Sequence, residues 1–374
     1  MTAYRFLQPL DVLFLRGNKL FGDSGSFGES LVPPWPSAAA GALRSWLLAS
    51  DGVDPQAFAR GAVRHPSLGT PAEPGAFRVT AFHVARQTET GAIELLMEPP
   101  ADLVLTRDTN DALRLSPLTP QPLPAALDAS SALARLPILS EAARRKPAGG
   151  HWLTQRAFAA YLRGQLPETS ELVPTSALWK IEPRIGVGLD PEQRRADDGK
   201  LFTTQAVHFR PGIGFLAAID GAELPARGTV QLGGDGRAAA LRSADFAPPA
   251  VDLAAIAAAG RCRMVLTSPG IFPEGWRPPG IDAEGRFALA GVRGRLVSAA
   301  VPRAQVVSGW DLANWRPKPA QRAAPSGSVY WLDELQATPD ALRKLAVDGL
   351  WPEPCDTAQR RAEGFNRFVF AVWS

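Results

Sequence analysis

The sequence predicts an α+β fold: two domains of antiparallel sheet carrying helices and broken by long loop insertions. Three observations predict it. Residues 77–86 alternate, with Phe77, Val79, Ala81 and His83 on one side and Arg78, Thr80, Phe82 and Val84 on the other, and residues 93–97 follow across a Thr-Gly turn as the second arm of a hairpin. From residue 201 strand patterns recur, at 201–209, 214–219, 229–232 and 238–241. The chain closes on a strand, a helix and a strand at 329–332, 339–348 and 368–372. A length of 374 residues is enough for two such domains with a core each. The division expected is 1–200, with an inserted segment over about 110–175, and 201–374.

In chain order, residues 4–15 form a bent strand or a strand pair, because Pro9 interrupts the ladder. The functional reading turns on residues 13–48: a strand end, a glycine-studded loop, a proline lead-in and a helix that begins in small residues. At about 3.6 residues per turn Ala39, Ala42, Leu43, Trp46 and Leu47 share one face, and Ser37, Gly41 and Arg44 share the other. Pro34 and Pro36 hold the lead-in extended. Ser37 reads as the N-cap of a helix whose free N–H groups and positive dipole end face an anion. Arg16, Lys19 and Arg44 supply fixed charge around it. A packed helix behind a surface loop is the competing reading. The run of glycines over 22–28 lacks the Gly-Lys-Ser/Thr ending of a phosphate loop, which argues against a nucleoside triphosphate cradle.

Asp54-Pro55 opens a short helix by a cap and a first-turn proline. The strand, helix and hairpin order up to residue 97 is the first half of a ferredoxin-like unit. Residues 115–137 show no lasting period and read as an insertion or irregular cover. Residues 154–164 form an amphipathic helix with Phe158 and Leu162 inward and Arg156 and Arg163 outward. Between Arg135 and Arg163 six basic residues meet one acid, Glu141, with Trp152, Phe158 and Tyr161 interleaved, a composition that also suits single-stranded RNA.

Residues 174–200 read as largely irregular. Gly186 and Gly188 bracket Val187 and let a partner approach the backbone beside Arg184, and the loop 190–199 is charged and mobile. Residues 233–236 make a hairpin turn that could aim Arg237. Strands at 261–267 and 295–308 enclose a Pro- and Gly-rich excursion at 269–285. Trp310, Trp315, Arg316 and Lys318 gather in a proline-stiffened loop, which either meets a ligand or pins itself to the core.

Composition sets limits on partners. The net charge of +3 and pI near 9.1 are too mild for uniform coating by nucleic acid, so any RNA grip must come from local clusters. Lysine supplies six of the 40 basic residues and arginine the rest; arginine forks phosphates and stacks on bases, although a codon bias toward Arg, Ala, Pro and Gly explains the global excess. Cys262 and Cys355 have no metal spacing, and no disulfide framework is indicated. No run is long enough to span a bilayer, and Arg5, Gln8, Pro9 and Asp11 interrupt any signal-peptide pattern, so a soluble, cytoplasmic protein is expected.

Four stretches in one order resemble a known family. They are Arg16-Gly17 with Pro33-Pro34-Trp35-Pro36-Ser37 and Ala40-Gly41-Ala42-Leu43-Arg44; Glu182-Pro183-Arg184-Ile185-Gly186-Val187; Gly309-Trp310-Asp311-Leu312 with Pro317-Lys318-Pro319; and Gly327-Ser328-Val329-Tyr330. Together they are similar, nearly end to end, to the third subunit of the type III-B CRISPR Cmr effector complex, in the Cas five-like group of the RAMP superfamily. The resemblance implies two ferredoxin-like, RRM-like domains that grip the 5′ tag of the guide RNA and link the backbone subunits to the large polymerase-like subunit, with cleavage belonging to other subunits. One departure is Gly364-Phe365-Asn366, where RAMP proteins place a glycine-rich loop before the last strand. Asn tolerates the left-handed conformation better than most residues, so the loop survives with less freedom.

On this combined reading the RNA-contacting residues are Arg16, Lys19, Ser37, Arg44, Arg184 and Lys318. The partners are the guide CRISPR RNA through its 5′ tag, the large polymerase-like subunit and the backbone subunits. No catalytic, metal or cofactor site is expected. The rival is a metal-independent CRISPR RNA-processing endoribonuclease on the same fold, with His151 beside Lys146 and Trp152 as its base. His65 precedes a proline in a loop, while His83 and His208 lie in strand patterns. Asp197-Asp198 and the acids of 51–54 are pairs without further ligands, which disfavours a two-metal nuclease. A third reading is an assembly scaffold whose loops touch only protein.

Overall fold

In a computed structural model of the chain, residues 2–17, 27–124, 133–141, 145–190, 192–193, 195–311, 316–355 and 357–373 are described. They form two compact units, each drawn from three stretches: 1–93, 176–246 and 306–321 in one, and 94–175, 247–305 and 322–374 in the other. The units therefore interleave along the sequence rather than following one another.

The first unit is built on five antiparallel strands in the order Arg227–Gln231, Ala238–Ser243, Ala3–Pro9, Ile213–Asp220 and Arg78–Gln87. Phe6 fixes the register from both sides, opposite Leu216 on one neighbour and Arg242 on the other. The Ile213–Asp220 strand is buried up to Asp220, as expected of a strand with neighbours on both edges and cover on both faces. The expected hairpin turn closes with Thr88 N–H donating to Ala92 O at 2.8 Å.

The opening helix runs Pro36–Ser50 and buries Ala39, Ala40, Ala42, Leu43, Leu47 and Leu48, the face that its spacing indicates. Trp46 lies over Gly228, where a Cβ would fall 2.4 Å from the indole, so that strand position has to be glycine. Its start differs from the expectation. Trp35, in an extended conformation, occupies the N-cap, Pro36 is the first helical residue, and no side chain caps the helix. Ser37 thus sits inside the first turn. The reason is Pro36: it lacks an N–H and has the helical φ built in, so it takes the first position and displaces the cap by two residues.

The same unit carries a long antiparallel ribbon, Trp179–Leu189 against Ala196–Phe209, in register from Trp179 opposite Phe209 to Val187 opposite Leu201. Phe27–Gly28 adds a short parallel strand to Thr203 and Thr204. Residues 174–200 are therefore mostly strand. Pro183 is tolerated because its strand is an edge, where no ladder bond is lost on the outer side.

In the second unit five antiparallel strands follow the order Arg286–Leu289, Val292–Ala300, Val329–Gln336, Cys262–Leu266 and Phe368–Ala371. The helix Pro339–Asp348 covers them through Leu342 and Leu345; the Thr338 hydroxyl accepts from Ala341 N–H at its start, and Gly349 ends it at φ 81°. Residues 115–137 are not irregular cover. A three-stranded sheet of Leu103–Arg107, Leu113–Pro122 and Arg135–Leu139 occupies the region, its prolines at 117, 120, 122 and 137 masking the period. Gln155–Leu162 is the expected amphipathic helix, capped by Thr154, with Phe158, Tyr161 and Leu162 buried and Arg156 exposed.

A charged cluster lies inside this unit. Arg263 Nη1 donates to Asp102 Oδ2 at 2.6 Å, the Tyr161 hydroxyl donates to Asp102 Oδ1 at 2.8 Å, and Arg263 Nη2 and Nε donate to the carbonyls of Tyr161 and Val372. Desolvation pushes the Asp102 carboxyl up, and the guanidinium pulls it back. Asn366 is a second buried polar device: at φ 58° its side chain accepts from Ile271 N–H at 2.7 Å and donates to the carbonyls of Leu350 and Ile271. The expected left-handed conformation is present, but the amide also ties three chain segments, which glycine could not do. Among the described residues no helix is long and apolar enough to cross a membrane.

Candidate nucleic-acid interface

The first unit assembles its candidate surface around the ribbon. Residues 15–17 run beside 28–31: Arg16 bridges Ser30, and Leu31 N–H donates to Leu15 O at 2.7 Å. Ser30 is fastened to the ribbon, its N–H donating to Gln205 Oε1 at 2.9 Å and its hydroxyl to Gln205 O at 2.7 Å. Gln205 pairs with Pro183, and the next pair is Arg184 opposite Thr204. The backbone stretches that carry Arg16 and Arg184, far apart in sequence, are thus tied through Ser30 and Gln205, while the Arg16 side chain itself lies against the 233–236 turn.

The Arg16 side chain is exposed. Partial burial holds its guanidinium below the usual arginine value, and the Asp235 carboxylate opposes that shift. Arg184 lies 3.7 Å from Glu182, which also faces His208 at 3.5 Å. Exposed pairs of this kind contribute about 0–1 kcal/mol, so a phosphate can take Arg184 over at little cost.

Alternation gives the ribbon two unlike faces. One carries Lys180, Glu182, Arg184, Lys200 and His208. The other exposes an apolar row, Ile181, Ile185, Val187, Leu189 and Leu201, with Phe27 beside it; Ile185 is 75% exposed. Gly186 and Gly188 are not openings for a partner. The Phe202 ring and the Lys200 chain, their cross-strand neighbours, fill the space, and a Cβ on Gly186 would meet Phe202 Cζ at 2.4 Å.

The other candidate residues are placed differently. Arg44 lies 5.6 Å over the buried Phe77 ring and serves as cover for the core. Ser37 is about two turns away on the same helix, without capping function. Lys318 sits on a separate two-stranded arm, Trp310–Asp311 with Arg316–Pro317, where its N–H donates to Gly309 O at 2.8 Å and its carbonyl accepts from the Ser308 hydroxyl. Lys19 and Trp315 lie outside the described residues. The 233–236 turn aims Arg237 inward, to Asp11 at 2.7 Å and over Phe14 at 5.3 Å, which settles it as a hairpin turn.

Of the histidines, His65 is fully engaged, with Nε2–H on Asp51 at 2.8 Å and Nδ1 accepting from Ser67 and Leu68 N–H. Burial lowers His83 to about 4. His151 Nδ1 sits 3.0 Å from the Gly149 carbonyl, and among the described residues no acid or second base bonds to it. No group of three metal-ligating side chains occurs among the described residues.

The apolar row, Ser30 and Gln205 escaped the sequence reading. The signal was present: Ile181, Ile185, Val187 and Leu189 alternate with Lys180, Glu182 and Arg184 at period two.

Comparison with known proteins places this architecture. A chain in the cryo-EM structure of the Type III-B Cmr-beta bound to cognate target RNA and AMPPnP, state 1, shares 14% identity at TM-score 0.53, covering 98% of each chain. A chain in the Cmr-beta structure bound to cognate target RNA shares 14% identity at TM-score 0.49, over 98% of this chain and 96% of that one. At that identity the first similarity speaks for the fold. No curated protein matches the sequence. The family model for the CRISPR-associated protein Cas_Cmr3 matches residues 5–373, almost the entire chain. By that match, the chain with its two antiparallel units and ribbon belongs to the Cas_Cmr3 family of CRISPR-associated proteins.

Proposed function

We propose that this chain is a non-catalytic, RNA-binding subunit of a type III-B effector complex, gripping the 5′ tag of the guide RNA and linking the backbone subunits to the large polymerase-like subunit. Family membership supports the assembly. The ribbon carries the RNA reading. Arg16 and Arg184 stand on backbone stretches tied through Ser30 and Gln205; one face of the ribbon carries Arg184 with Lys180, and the other, which also carries Gln205, exposes an apolar row. Arginine neutralises phosphate, and the Phe27 ring beside the exposed aliphatic row offers a surface on which an unstacked base can stack, so the ribbon supplies both kinds of contact that a single strand needs.

The test is a titration of the assembled complex with tag-bearing RNA at several salt concentrations. Arg16→Ala with Arg184→Ala lowers the log–log salt slope by roughly 0.7 for each lost phosphate contact. An unchanged slope removes both residues from the interface. A normal slope with loss of the neighbouring subunits points to the scaffold role instead.

A further inference from the structure

The second unit has a cleft of about 590 Å³ that the RNA reading does not use. Its floor is Ala299, Val301, Ala323 and Ala324. One wall is the 269–285 excursion, held in place by paired bonds of 2.8 Å between Gly270 and Ala324 and by the Tyr330 hydroxyl donating to Trp276 O at 2.6 Å. Trp276 is nonetheless 41% exposed at the rim. Arg322 stands on the opposite lining, exposed and without an ion-pair or hydrogen-bond partner among the described residues. Glu274, the acid of the cleft, is neutralised by Arg277. The cleft is thus apolar inside and positive at one edge.

From this geometry we infer that the cleft receives a segment of another protein subunit of the same assembly, anchored by a large apolar side chain with a carboxylate beside it. Two features select that occupant. The floor side chains are alanine and valine, with nothing to pair the polar edges of a nucleobase; burying those edges unpaired costs about 1–3 kcal/mol for each group. An apolar side chain loses nothing there. The unpartnered guanidinium of Arg322 then matches a carboxylate by charge and fork geometry, and a tryptophan and an arginine framing a pre-formed pocket is the anatomy of an interface centre. The inference rests on the assembly proposed above and not on the reading of the tag.

The experiment places the photo-crosslinker p-benzoylphenylalanine at Ala304, an exposed residue of the cleft lining, in the full chain within the reconstituted complex. Irradiation is expected to give a crosslink to one partner subunit, at an apolar residue with Asp or Glu within a few positions. Arg322→Glu is expected to cut its yield at least tenfold, and reversing the partner's acid to Lys restores it. The Tm of the free Arg322→Glu chain, unchanged, shows that folding is not at issue. A crosslink to RNA, a crosslink to a second copy of this chain, or a yield indifferent to Arg322→Glu in an intact complex overturns the inference alone. Failure of the wild-type chain to enter the complex overturns the assembly reading together with it.

Discussion

The ribbon of the first unit and the Asp102–Tyr161–Arg263 cluster of the second use similar side chains to opposite ends. In the cluster every charged atom is buried and bonded at 2.6–3.1 Å. On the ribbon Arg184, Glu182 and His208 stand at 3.5–3.7 Å in solvent. Burial makes the first arrangement obligatory, since an unpartnered charge there has no water to fall back on. Exposure makes the second negotiable. A charge that holds the fold and a charge that waits for a ligand are told apart by what each would lose if its partner left.

Breaking the cluster is the strongest way to test the contrast. Arg263→Met leaves Asp102 buried without its cation and is expected to lower unfolding free energy by about 3–5 kcal/mol in urea melts; a loss under 1 kcal/mol would erase the distinction between the two regions. Asn366→Ala strands the Ile271 N–H and the Leu350 carbonyl at a left-handed position, for about 2–3 kcal/mol. Asn366→Gly keeps the backbone and restores only part, which separates the amide's bonds from its conformation. On the ribbon, Gly186→Val must displace the Phe202 ring and is expected to cost about 1–2 kcal/mol, read as a drop in Tm.

The contrast sharpens with pH. His83 titrates at about 4 in the folded chain against 6.5 when unfolded, because burial disfavours its cation. Its contribution is therefore complete above pH 6.5 and is lost as pH falls toward 4. The side chain is partly exposed, so we expect His83→Gln to remove about 1 kcal/mol of the acid-side decline rather than the full shift, seen as a flatter Tm profile between pH 6.5 and 4. The smallest stability effect belongs to Arg16→Ala and Arg184→Ala, each within about 0.5 kcal/mol of wild type, while both lower the salt slope of RNA binding. A large stability loss at either would class it with the cluster.

Much of the fold was legible because its signals are local. Asp54, Thr154 and Thr338 cap the helices that follow them, Gly349 ends the one at 339–348, and the strands of the second half alternate or stay apolar as buried strands do. The ribbon was not legible for a physical reason. Period two identifies a strand when one face is core, and here both faces meet solvent, with Pro183, Gly186 and Gly188 mimicking a loop. The prolines of Leu113–Pro122 hid a strand in the same way. At the opening helix, Pro at the first position was the better signal than the serine after it. At the candidate site Arg16 and Arg184 could be named from the sequence, but the Ser30–Gln205 bonds that tie their backbone stretches are a pairing that no local pattern encodes.

Among the described residues the Trp179–Leu189 strand has a ladder neighbour on one side only, and it carries a row of exposed isoleucine, valine and leucine. Such an edge templates sheet growth from one copy to the next unless something blunts it, and Pro183, Lys180 and Arg184 are the guards this sequence supplies. Production of the chain by itself should then be limited by self-association at that margin, and supplying its assembly mates during synthesis should raise the soluble yield without any change in the melting point of what folds.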